Sequence, residues 1–342
     1  ATPWVMNLCL SNRESGWGVV SPDRDPRLPG LGDALLTDRA IALFRGSRAG
    51  SVLGLDQGET AIRSDLIAYR INKRAVVRLS GAAGVSVYLK AYRRMPPVEE
   101  IDRYQRLRSL LDERSGGRLG MPAILDTLPD NRCLVMSAVE GDCRPLGQSS
   151  EDIAAAAEAL AVFHGLDIDT GRNHSPRDEL RIAGRWLKVL RGAAPALHGR
   201  MRSIVLALAR LAKSIPMEGL RLVHRDFYGA QILLQGDRVR LVDFDTLGKA
   251  HPEVDVSTFV AHLLLDAMIA GKEDSSALVS ASAFLEAYRR GHHLDPRRLR
   301  FYLPSALVRL GAIHWVRGLP VEQVSRLWGI AESAVAGGLP TG

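Results

Sequence analysis

The chain has 342 residues, of which 46% are hydrophobic and 24% are charged, as is typical of a protein that folds around an apolar core. This length exceeds that of an average domain, so we expect two lobes. No run of about eighteen uncharged apolar residues is present, and residues 1–15 lack the basic start and long apolar stretch of a signal peptide. We therefore expect a cytoplasmic protein with no membrane partner.

The net charge of +7 raises the question of a nucleic-acid partner. Residues 61–120 carry thirteen Lys or Arg against six Asp or Glu, whereas residues 251–342 carry nine of each. An excess concentrated in the first half fits an anionic small ligand such as a nucleotide, or a solvated basic surface. No aromatic or basic nucleic-acid motif accompanies the charge, so we expect no nucleic-acid partner.

The three cysteines, Cys9, Cys133 and Cys143, do not have the spacing of a metal site. Because their number is odd, they cannot form a complete disulfide framework. This usage favours a reducing compartment and argues against a zinc site.

Residues 1–60 contain many turn formers and one helical pattern at 34–44, which indicates an N-terminal extension packed on the first lobe. Alternating apolar residues then predict three antiparallel strands, at 65–71, 75–81 and 85–93. A helix is predicted at 96–114, because Pro and acidic residues stand at its start. Residues 132–139 predict a further strand.

From residue 149 onward the apolar spacing becomes mainly helical. The first of these patterns, 149–166, begins with a Ser cap followed by acidic residues. Further helices are predicted at 177–192, 195–215, 255–270, 276–291, 296–317 and 320–336. Strands followed by helices predict an α+β fold with two lobes, a small antiparallel sheet and a larger, mainly helical part.

The stretch LVHRDFYGAQILLQGDRVRLVDFD, residues 222–245, contains two apolar runs that are followed by Asp226 and Asp243. If the second run belongs to a hairpin around Gly236, Gln231 and Asp243 come close together, with Asp226 across from them. A carboxylate and an amide oxygen suit Mg²⁺, which usually shares its ligands with substrate phosphates. A separate carboxylate can accept a hydroxyl proton, so the pattern predicts a site for phosphoryl transfer.

A structural interpretation of the same aspartates is also open. An aspartate at a strand end often only caps a turn, and either Asp226 or Asp243 alone would more often be structural than catalytic. The order and spacing of both aspartates with Gln231 favour the catalytic interpretation.

This stretch resembles the catalytic core of the aminoglycoside phosphotransferase and choline kinase group, which has a protein kinase-like fold. The family pattern is H-x-D-x-x-x-x-N, then a strand that ends in a D-F-D-like motif, then a further Asp. Here these positions hold His224, Asp226, Gln231, Asp243 and Asp255. The resemblance implies that Asp226 is the catalytic base and that Asp243, with Gln231, binds magnesium. It also implies that His224 braces the loop and that Asp255 holds the catalytic segment from a following helix.

The resemblance extends upstream of this stretch. Residues 85–93 resemble the strand of the phosphate-binding lysine, here Lys90, and "CLVMSAVEGD" resembles the hinge strand. The likeness implies that backbone groups from Met136 to Ala138 meet the adenine. A helix that ends in Phe-His, with His164, is a further similarity. Together these features imply three parts. Residues 1–60 form an N-terminal extension, residues 61–138 form a nucleotide-binding N-lobe, and residues 139–342 form a helical C-lobe with the catalytic loop and the acceptor site.

The sequence departs from the family pattern in three places. Gln231 replaces Asn, which moves the amide oxygen one methylene farther from the backbone. No glycine-rich loop is present, and Lys73 and Arg74 stand in its place, either as phosphate contacts or as exposed hairpin residues. The acid that pairs with Lys90 is Glu100, or else the neighbouring glutamate at position 99. Both glutamates could instead only complement the partial positive charge at the N-terminus of the helix.

These features predict a magnesium-dependent kinase that uses ATP or GTP to phosphorylate a hydroxyl of a sugar or an aminoglycoside-type antibiotic. The balanced charge of residues 251–342 favours a neutral or anionic acceptor, because a polycationic antibiotic needs an acidic cleft. Residues 69–94 also resemble maltokinase-type sugar kinases. The departures leave open a nucleotide-binding pseudokinase with a regulatory role. We expect a monomer or a homodimer.

Overall fold

The computed structural model describes residues 11–13, 16–18, 21–59, 61–82, 84–144, 146 and 149–338. Cys9 and most of the residues used in the signal-peptide prediction lie outside the described residues. Cys133 is buried, Cys143 is exposed, and both are free thiols. The chain forms two compact units, one from residues 1–108 with 122–139 and the other from residues 109–121 with 140–342. The predicted boundary at residue 60 stays a prediction.

The strands are β1 (Ser11–Arg13), β2 (Gly16–Gly18), β3 (Arg63–Arg70), β4 (Arg74–Ser80), β5 (Ser86–Tyr92), β6 (Leu119–Gly120), β7 (Ile124–Leu128), β8 (Cys133–Ser137), β9 (Arg221–Val223), β10 (Ile232–Gln235), β11 (Arg238–Leu241) and β12 (Gly248–Ala250). The helices are α1 (Pro29–Leu35), α2 (Thr37–Phe44), α3 (Arg48–Val52), α4 (Val98–Ser115), α5 (Ser150–His164), α6 (Pro176–Ala193), α7 (Pro195–Leu211), α8 (Glu253–Ile269), α9 (Asp274–Arg289), α10 (Pro296–Val316) and α11 (Val321–Ala336).

The first unit is built on a five-stranded sheet in the order β3-β4-β5-β8-β7, in which all neighbours are antiparallel. Burial alternates along β4 and β5, so one face of the sheet is apolar and the other is partly exposed. Ala75, Val77 and Leu79 of β4 and Val87 and Leu89 of β5 are almost completely buried on the apolar face. They form one core with α1, α2 and α3.

The predicted single helix at 34–44 is wrong, because two helices, α1 and α2, meet there. Leu36, between them, has an extended backbone with φ −101° and ψ 114°. Thr37 then begins α2, and its hydroxyl donates a hydrogen bond to the Ile62 carbonyl at 3.3 Å. Leu28 and Leu31 before the break and Phe44 after it lie in the same core, so both helices contribute to it, with α1 packed directly on the sheet.

The second unit is mainly helical, and its helices form close to where the apolar spacing predicts them, with ends shifted by a few residues. Ser149 caps α5 by accepting from the Asp152 amide, and Ser175 and Asp178 form a capping box at α6. Helix α8 is buried along most of its length and packs against α9 and α10. No helix among the described residues is both long and apolar enough to cross a membrane.

The predicted hairpin around Gly236 is present as the antiparallel pair β10-β11, with Ile232 opposite Leu241. β11 also pairs in parallel with the two-residue strand β6, and β9 pairs with β12. Gly236 has a φ of 58°, a left-handed conformation that glycine adopts without strain. The hairpin returns the chain from β10 to the end of β11, immediately before Asp243.

Candidate active site

The segment His224-Arg225-Asp226 follows β9, whose Leu222 and Val223 are buried. Arg225 has a φ of 68°, an unfavourable conformation for a residue with a long side chain. Asp255 on α8 stabilises this turn, because its carboxylate accepts the backbone amides of His224 at 2.7 Å and Arg225 at 2.6 Å. Asp226, which comes next, is half-buried. The strained turn therefore sets the position of the Asp226 carboxylate.

Asp255 is itself held by a buried hydrogen-bond chain. Its Oδ2 lies 3.0 Å from Nε2 of His164, whose Nδ1 lies 2.7 Å from the Tyr288 hydroxyl. Burial lowers the pKa of His164, so a neutral imidazole donates to Asp255 and accepts from Tyr288. Burial alone would raise the pKa of Asp255, but the hydrogen bonds from His164 and the His224 amide lower it overall. The carboxylate is therefore ionised at neutral pH.

His224 lies with its side chain completely buried. Its Nε2 lies 2.9 Å from the carbonyl oxygen of Val242, and because a carbonyl only accepts, Nε2 carries the proton. The ring packs against Phe244 with a centroid separation of 4.8 Å. His224 therefore links the Asp226 loop to Val242, the residue that follows β11.

The structure brings Gln231 and Asp243 together through the β10-β11 hairpin. The Val242 amide donates to the Gln231 carbonyl at 3.0 Å, so Gln231 is bonded to the residue that directly precedes Asp243. Asp243 has left-handed backbone angles, φ 63° and ψ 61°, at the point where β11 ends. This conformation turns the chain away from the strand direction and leaves the Asp243 side chain half-buried.

The donor set at this place fits a magnesium ion. The Gln231 Nε2 donates to the Tyr228 hydroxyl at 3.4 Å, and the amide oxygen is the Gln231 side-chain atom that could act as a metal ligand. One carboxylate and one amide oxygen leave most magnesium positions for phosphates and water, as is usual for this ion. In the described part of the chain no group of three or more His, Cys, Asp or Glu forms a metal cage.

Tyr228 and His262 beside Asp226 were not identified from the sequence. Their rings stack with centroids 4.0 Å apart and an interplanar angle of 16°. Burial raises the pKa of Tyr228, to which the Asp226 charge adds, and burial with nearby Arg309 lowers the pKa of His262 to about 3. Both rings are therefore uncharged at neutral pH. The seven-residue spacing between Asp255 and His262 on α8 is the signal that could have found this residue.

A second buried acid, Glu179, lies near the Asp226 loop. Its Oε1 lies 2.6 Å from Nε2 of His174, and Ser305 donates to its other oxygen at 3.4 Å. Burial opposes ionisation, yet the His174 hydrogen bond and the charges of Arg309 and Arg225 hold the pKa of Glu179 at about 2. This carboxylate compensates the half-buried Arg225 guanidinium, which also donates to a backbone carbonyl, that of Thr246.

The predicted nucleotide residues lie in the first unit. Lys90 is on β5, opposite Val76 of β4 and Leu134 of β8. Its immediate neighbours in the strand, Leu89 and Ala91, face the apolar core. Lys90 therefore lies on the opposite face of the sheet from α1, α2 and α3.

The other predicted contacts have distinct positions in the first unit. Arg74 begins β4, directly opposite Tyr92 of β5, and Glu100 lies in the first turn of α4. Met136 on β8 is buried, whereas Ala138 follows the strand and is exposed. The structure thus groups these residues in one unit, and His224, Asp226, Gln231 and Asp243 in the other.

Comparison with known proteins agrees with this architecture. The phosphotransferase enzyme family model matches residues 68–302, which is more than half of the chain. No curated protein sequence matches the chain significantly.

Several solved structures share the fold at low sequence identity. A choline/ethanolamine kinase family protein from Mesorhizobium loti has 17% identity and a TM-score of 0.55, over 87% of this chain and 94% of its own. A spectinomycin phosphotransferase in complex with ADP and spectinomycin has 12% identity and a TM-score of 0.58, over 89% and 98%. Choline kinase from Cryptosporidium parvum has 10% identity and a TM-score of 0.58, over 87% and 95%.

These likenesses confirm the predicted α+β class and the protein kinase-like fold. At such low sequence identity these similarities show the fold alone. They do not show which reaction this chain carries out. The family match covers β4, β5, the Asp226 loop and the β10-β11 hairpin. The chain belongs to the phosphotransferase enzyme family.

Proposed function

We propose that this protein transfers the γ-phosphate of ATP or GTP to a hydroxyl group of a small molecule, with magnesium as the cofactor. The observation that carries the proposal is the Asp226 loop. Asp255 holds its backbone at 2.6–2.7 Å, and His224 ties it to Val242, which bonds to the Gln231 backbone and directly precedes Asp243. A carboxylate on a loop fixed in this way, with a carboxylate and an amide on the hairpin to which the loop is tied, would supply the groups that phosphoryl transfer requires.

In the proposed reaction Asp226 accepts the proton of the acceptor hydroxyl as that oxygen attacks phosphorus. Asp243 and Gln231 would hold the magnesium ion, which when bound neutralises charge on the phosphate oxygens. His224 keeps the loop in position and does not touch the reactants, since its ring is completely buried.

For the nucleotide we propose that Lys90 orients the α- and β-phosphates, with Glu100 as its acidic partner. Arg74 would add a bidentate phosphate contact at the turn that replaces a glycine-rich loop. Backbone groups between Met136 and Ala138 would bind the base. These roles rest on the family resemblance and on the position of Lys90 on the sheet face opposite the apolar core.

For the acceptor we propose a neutral or anionic hydroxyl compound, such as a sugar, in preference to a polycationic antibiotic. Two arginines, Arg309 and Arg317, are close enough to His262 to lower its pKa, and His262 stacks on Tyr228 next to the Asp226 loop. Cationic groups at this place would repel a polyamine, would attract an anionic sugar and would not disfavour a neutral one. Aminoglycoside-type antibiotics stay in the test panel because the spectinomycin phosphotransferase has the same fold.

The test is nucleotide consumption against sugars, amino sugars and aminoglycosides, with wild type beside Asp226→Asn. We expect turnover on one acceptor to fall by roughly 10³-fold or more in the variant, because the proton acceptor is lost, while nucleotide affinity stays the same. Asp167→Asn, a change at an exposed carboxylate, is the matched control. Equal rates for wild type and Asp226→Asn would refute the role of Asp226.

A second candidate is a nucleotide-binding pseudokinase with a regulatory role. It is supported by Gln231, whose amide bonds to Tyr228 and which stands where relatives have Asn. Tight magnesium-nucleotide binding without turnover on any acceptor would favour it. In either case we propose a cytoplasmic protein, monomeric or homodimeric, that acts on small molecules.

A further inference from the structure

A cavity of about 400 Å³ lies in the first unit and is lined by Pro26, Arg27, Arg93, Arg94 and Arg132. Four of its five lining residues are arginines, and none is acidic. Its volume is within the range of small-molecule sites in proteins. The cavity therefore combines room for a small ligand with a strongly positive wall.

Backbone hydrogen bonds join the segments that carry three of these arginines. The Tyr92 amide donates to the Arg132 carbonyl at 2.9 Å, and the Arg93 amide donates to the Lys73 carbonyl at 3.0 Å. The Arg132 guanidinium donates to the Arg93 carbonyl at 3.0 Å. The end of β5, the turn before β8 and the turn before β4 are thus joined by hydrogen bonds. The backbone that carries Arg93, Arg94 and Arg132 is therefore held in place.

The segment with Pro26 and Arg27 is fixed by a buried carboxylate. Asp25 is only 4% exposed, and its oxygens accept from the Arg27 amide at 2.9 Å, the Tyr69 hydroxyl at 2.9 Å and the Asn72 amide at 2.8 Å. These are neutral donors, so Asp25 is used to attach the segment to the turn and does not form an ion pair with the lining arginines.

The four arginines, of which Arg93, Arg94 and Arg132 are exposed, have no carboxylate partner among the described residues. Across the parts of the chain that the structure describes, none of the four guanidinium groups forms an ion pair. Like charges that share a small volume repel one another, and an anion between them relieves this repulsion. Guanidinium groups bind phosphate oxygens in a bidentate manner, which makes a phosphate group the best-matched anion.

The cavity adjoins the end of β5. Arg93 and Arg94 follow Tyr92, the last residue of that strand, and both line the cavity. Lys90 does not line it. The Arg93 amide bonds to the Lys73 carbonyl, so the cavity lies next to the turn that precedes Arg74, and the test has to separate it from the proposed contact of Arg74 with the nucleotide.

We propose that this cavity binds a small phosphate-bearing anion, as a site additional to the proposed catalytic one. The phosphate group would lie between the arginines, and the rest of the cavity would take a small organic body. Free phosphate and a phosphate monoester share this chemistry.

The test is calorimetric titration of the full chain with inorganic phosphate, pyrophosphate and glucose 6-phosphate at constant ionic strength. We expect binding that weakens roughly tenfold or more in Arg94→Gln/Arg132→Gln, because bidentate contacts are lost. Arg45→Gln, which removes an exposed arginine of the same unit, should bind like wild type. Circular dichroism of each variant verifies that it is folded. Tighter binding of glucose 6-phosphate than of phosphate would identify the monoester as the ligand class, and equal binding would identify the phosphate group alone.

Lys90→Ala and Arg74→Gln separate this site from the proposed nucleotide contacts, because no turnover is needed to measure binding. The proposal requires unchanged phosphate affinity in both variants. It is overturned if none of the three probes binds, if Lys90→Ala or Arg74→Gln abolishes binding, or if Arg45→Gln weakens binding as much as the cavity variant does.

Discussion

The backbone of Arg225, with its φ of 68°, stands between two residues that the sequence singles out, His224 and Asp226. A conformation of this kind costs about 1 kcal/mol or more and persists only where its surroundings enforce it. Asp255 supplies that enforcement with two backbone hydrogen bonds. The position of the proposed base therefore depends on a carboxylate that is completely buried on α8.

Replacing that carboxylate should destabilise the protein. Asp255→Asn removes the negative charge and places an amide among three donors, so we expect a loss of about 3–5 kcal/mol in the free energy of unfolding. Urea denaturation measures this loss. The control is Asp167→Asn, whose side chain is 94% exposed and pairs with Lys249, and which should change stability by about 0.5 kcal/mol or less. A similar effect for both variants would contradict the role of Asp255.

Gln231 allows a direct test of the proposed metal site. Gln231→Ala removes the amide oxygen, and we expect the magnesium concentration needed for nucleotide binding to rise roughly tenfold. Gln231→Asn keeps an amide and should stay near wild type. Titration of magnesium at fixed nucleotide gives the result, with Gln235→Ala, an exposed glutamine on the same hairpin, as control. An unchanged magnesium requirement in Gln231→Ala would exclude the amide as a ligand.

At the residue scale, the sequence predicted those polar residues of the candidate site that belong to a motif. It did not predict the polar residues of the site that lie outside one. Asp226, Gln231 and Asp243 are evident because each stands at a fixed distance from an apolar run. Tyr228 carries no such mark, and His262 is indicated only by its spacing from Asp255, since the contact of the two rings forms only when α8 packs against the loop. Contacts between distant helices depend on tertiary packing, which local patterns do not encode.

At the scale of elements, Gly141 connects the start of the second unit to the β10-β11 hairpin. Asp142 exchanges two backbone hydrogen bonds with Leu234, at 3.0 and 3.1 Å. Gly141 has a φ of 122°, and a Cβ there would lie 3.1 Å from both the Leu233 Cβ and the Leu234 nitrogen. Backbone conformation and crowding therefore both require glycine.

Gly141→Ala should destabilise the protein by about 2 kcal/mol, because alanine is strained at this φ and crowds β10. Gly184→Ala is a control with the opposite expected sign. It lies inside α6 with nothing within 4 Å of a new Cβ, so alanine should stabilise by about 0.5–1 kcal/mol. Thermal and urea unfolding of both variants check the prediction, and a neutral Gly141→Ala would contradict it.

Long elements could be predicted because their periodicity extends over many residues, as in α4 and the β3-β4-β5 sheet. The strands β6 and β12 were missed, since two or three residues are too few to show alternation, whereas the apolar run before His224 correctly indicated β9. The helical pattern at 34–44 hid the break at Leu36 because apolar residues continue across it. That break depends on packing against the sheet, which the local sequence does not contain.

At the scale of the whole molecule, acid should unfold the protein partly through Glu179. Its pKa in the folded state is about 2, against an ordinary value of 4.5, so the unfolded chain binds a proton first as pH falls. The resulting stabilisation is about 3 kcal/mol, is fully present above pH about 4.5 and is lost as pH falls towards about 2.

Glu179→Gln tests this expectation. The variant should be less stable than wild type at neutral pH, and its stability should fall less steeply between about pH 4.5 and 2. Urea denaturation across that range gives both quantities. Glu158→Gln, at an exposed ion pair with Arg290, should follow wild type at every pH. A Glu179→Gln curve parallel to that of wild type would show that another group governs acid unfolding.

The contact between Asp25 and Asn72 has an entropic consequence for the proposed nucleotide binding. The turn before β4 is held by the Asp25 carboxylate, which is only 4% exposed and accepts from the Asn72 amide. A glycine-rich loop, by contrast, is free to move until a ligand orders it. The backbone of this turn would therefore lose little conformational entropy when a phosphate binds there. We expect nucleotide binding to carry a smaller entropic penalty here than in relatives with a glycine-rich loop, and Asp25→Ala to increase that penalty.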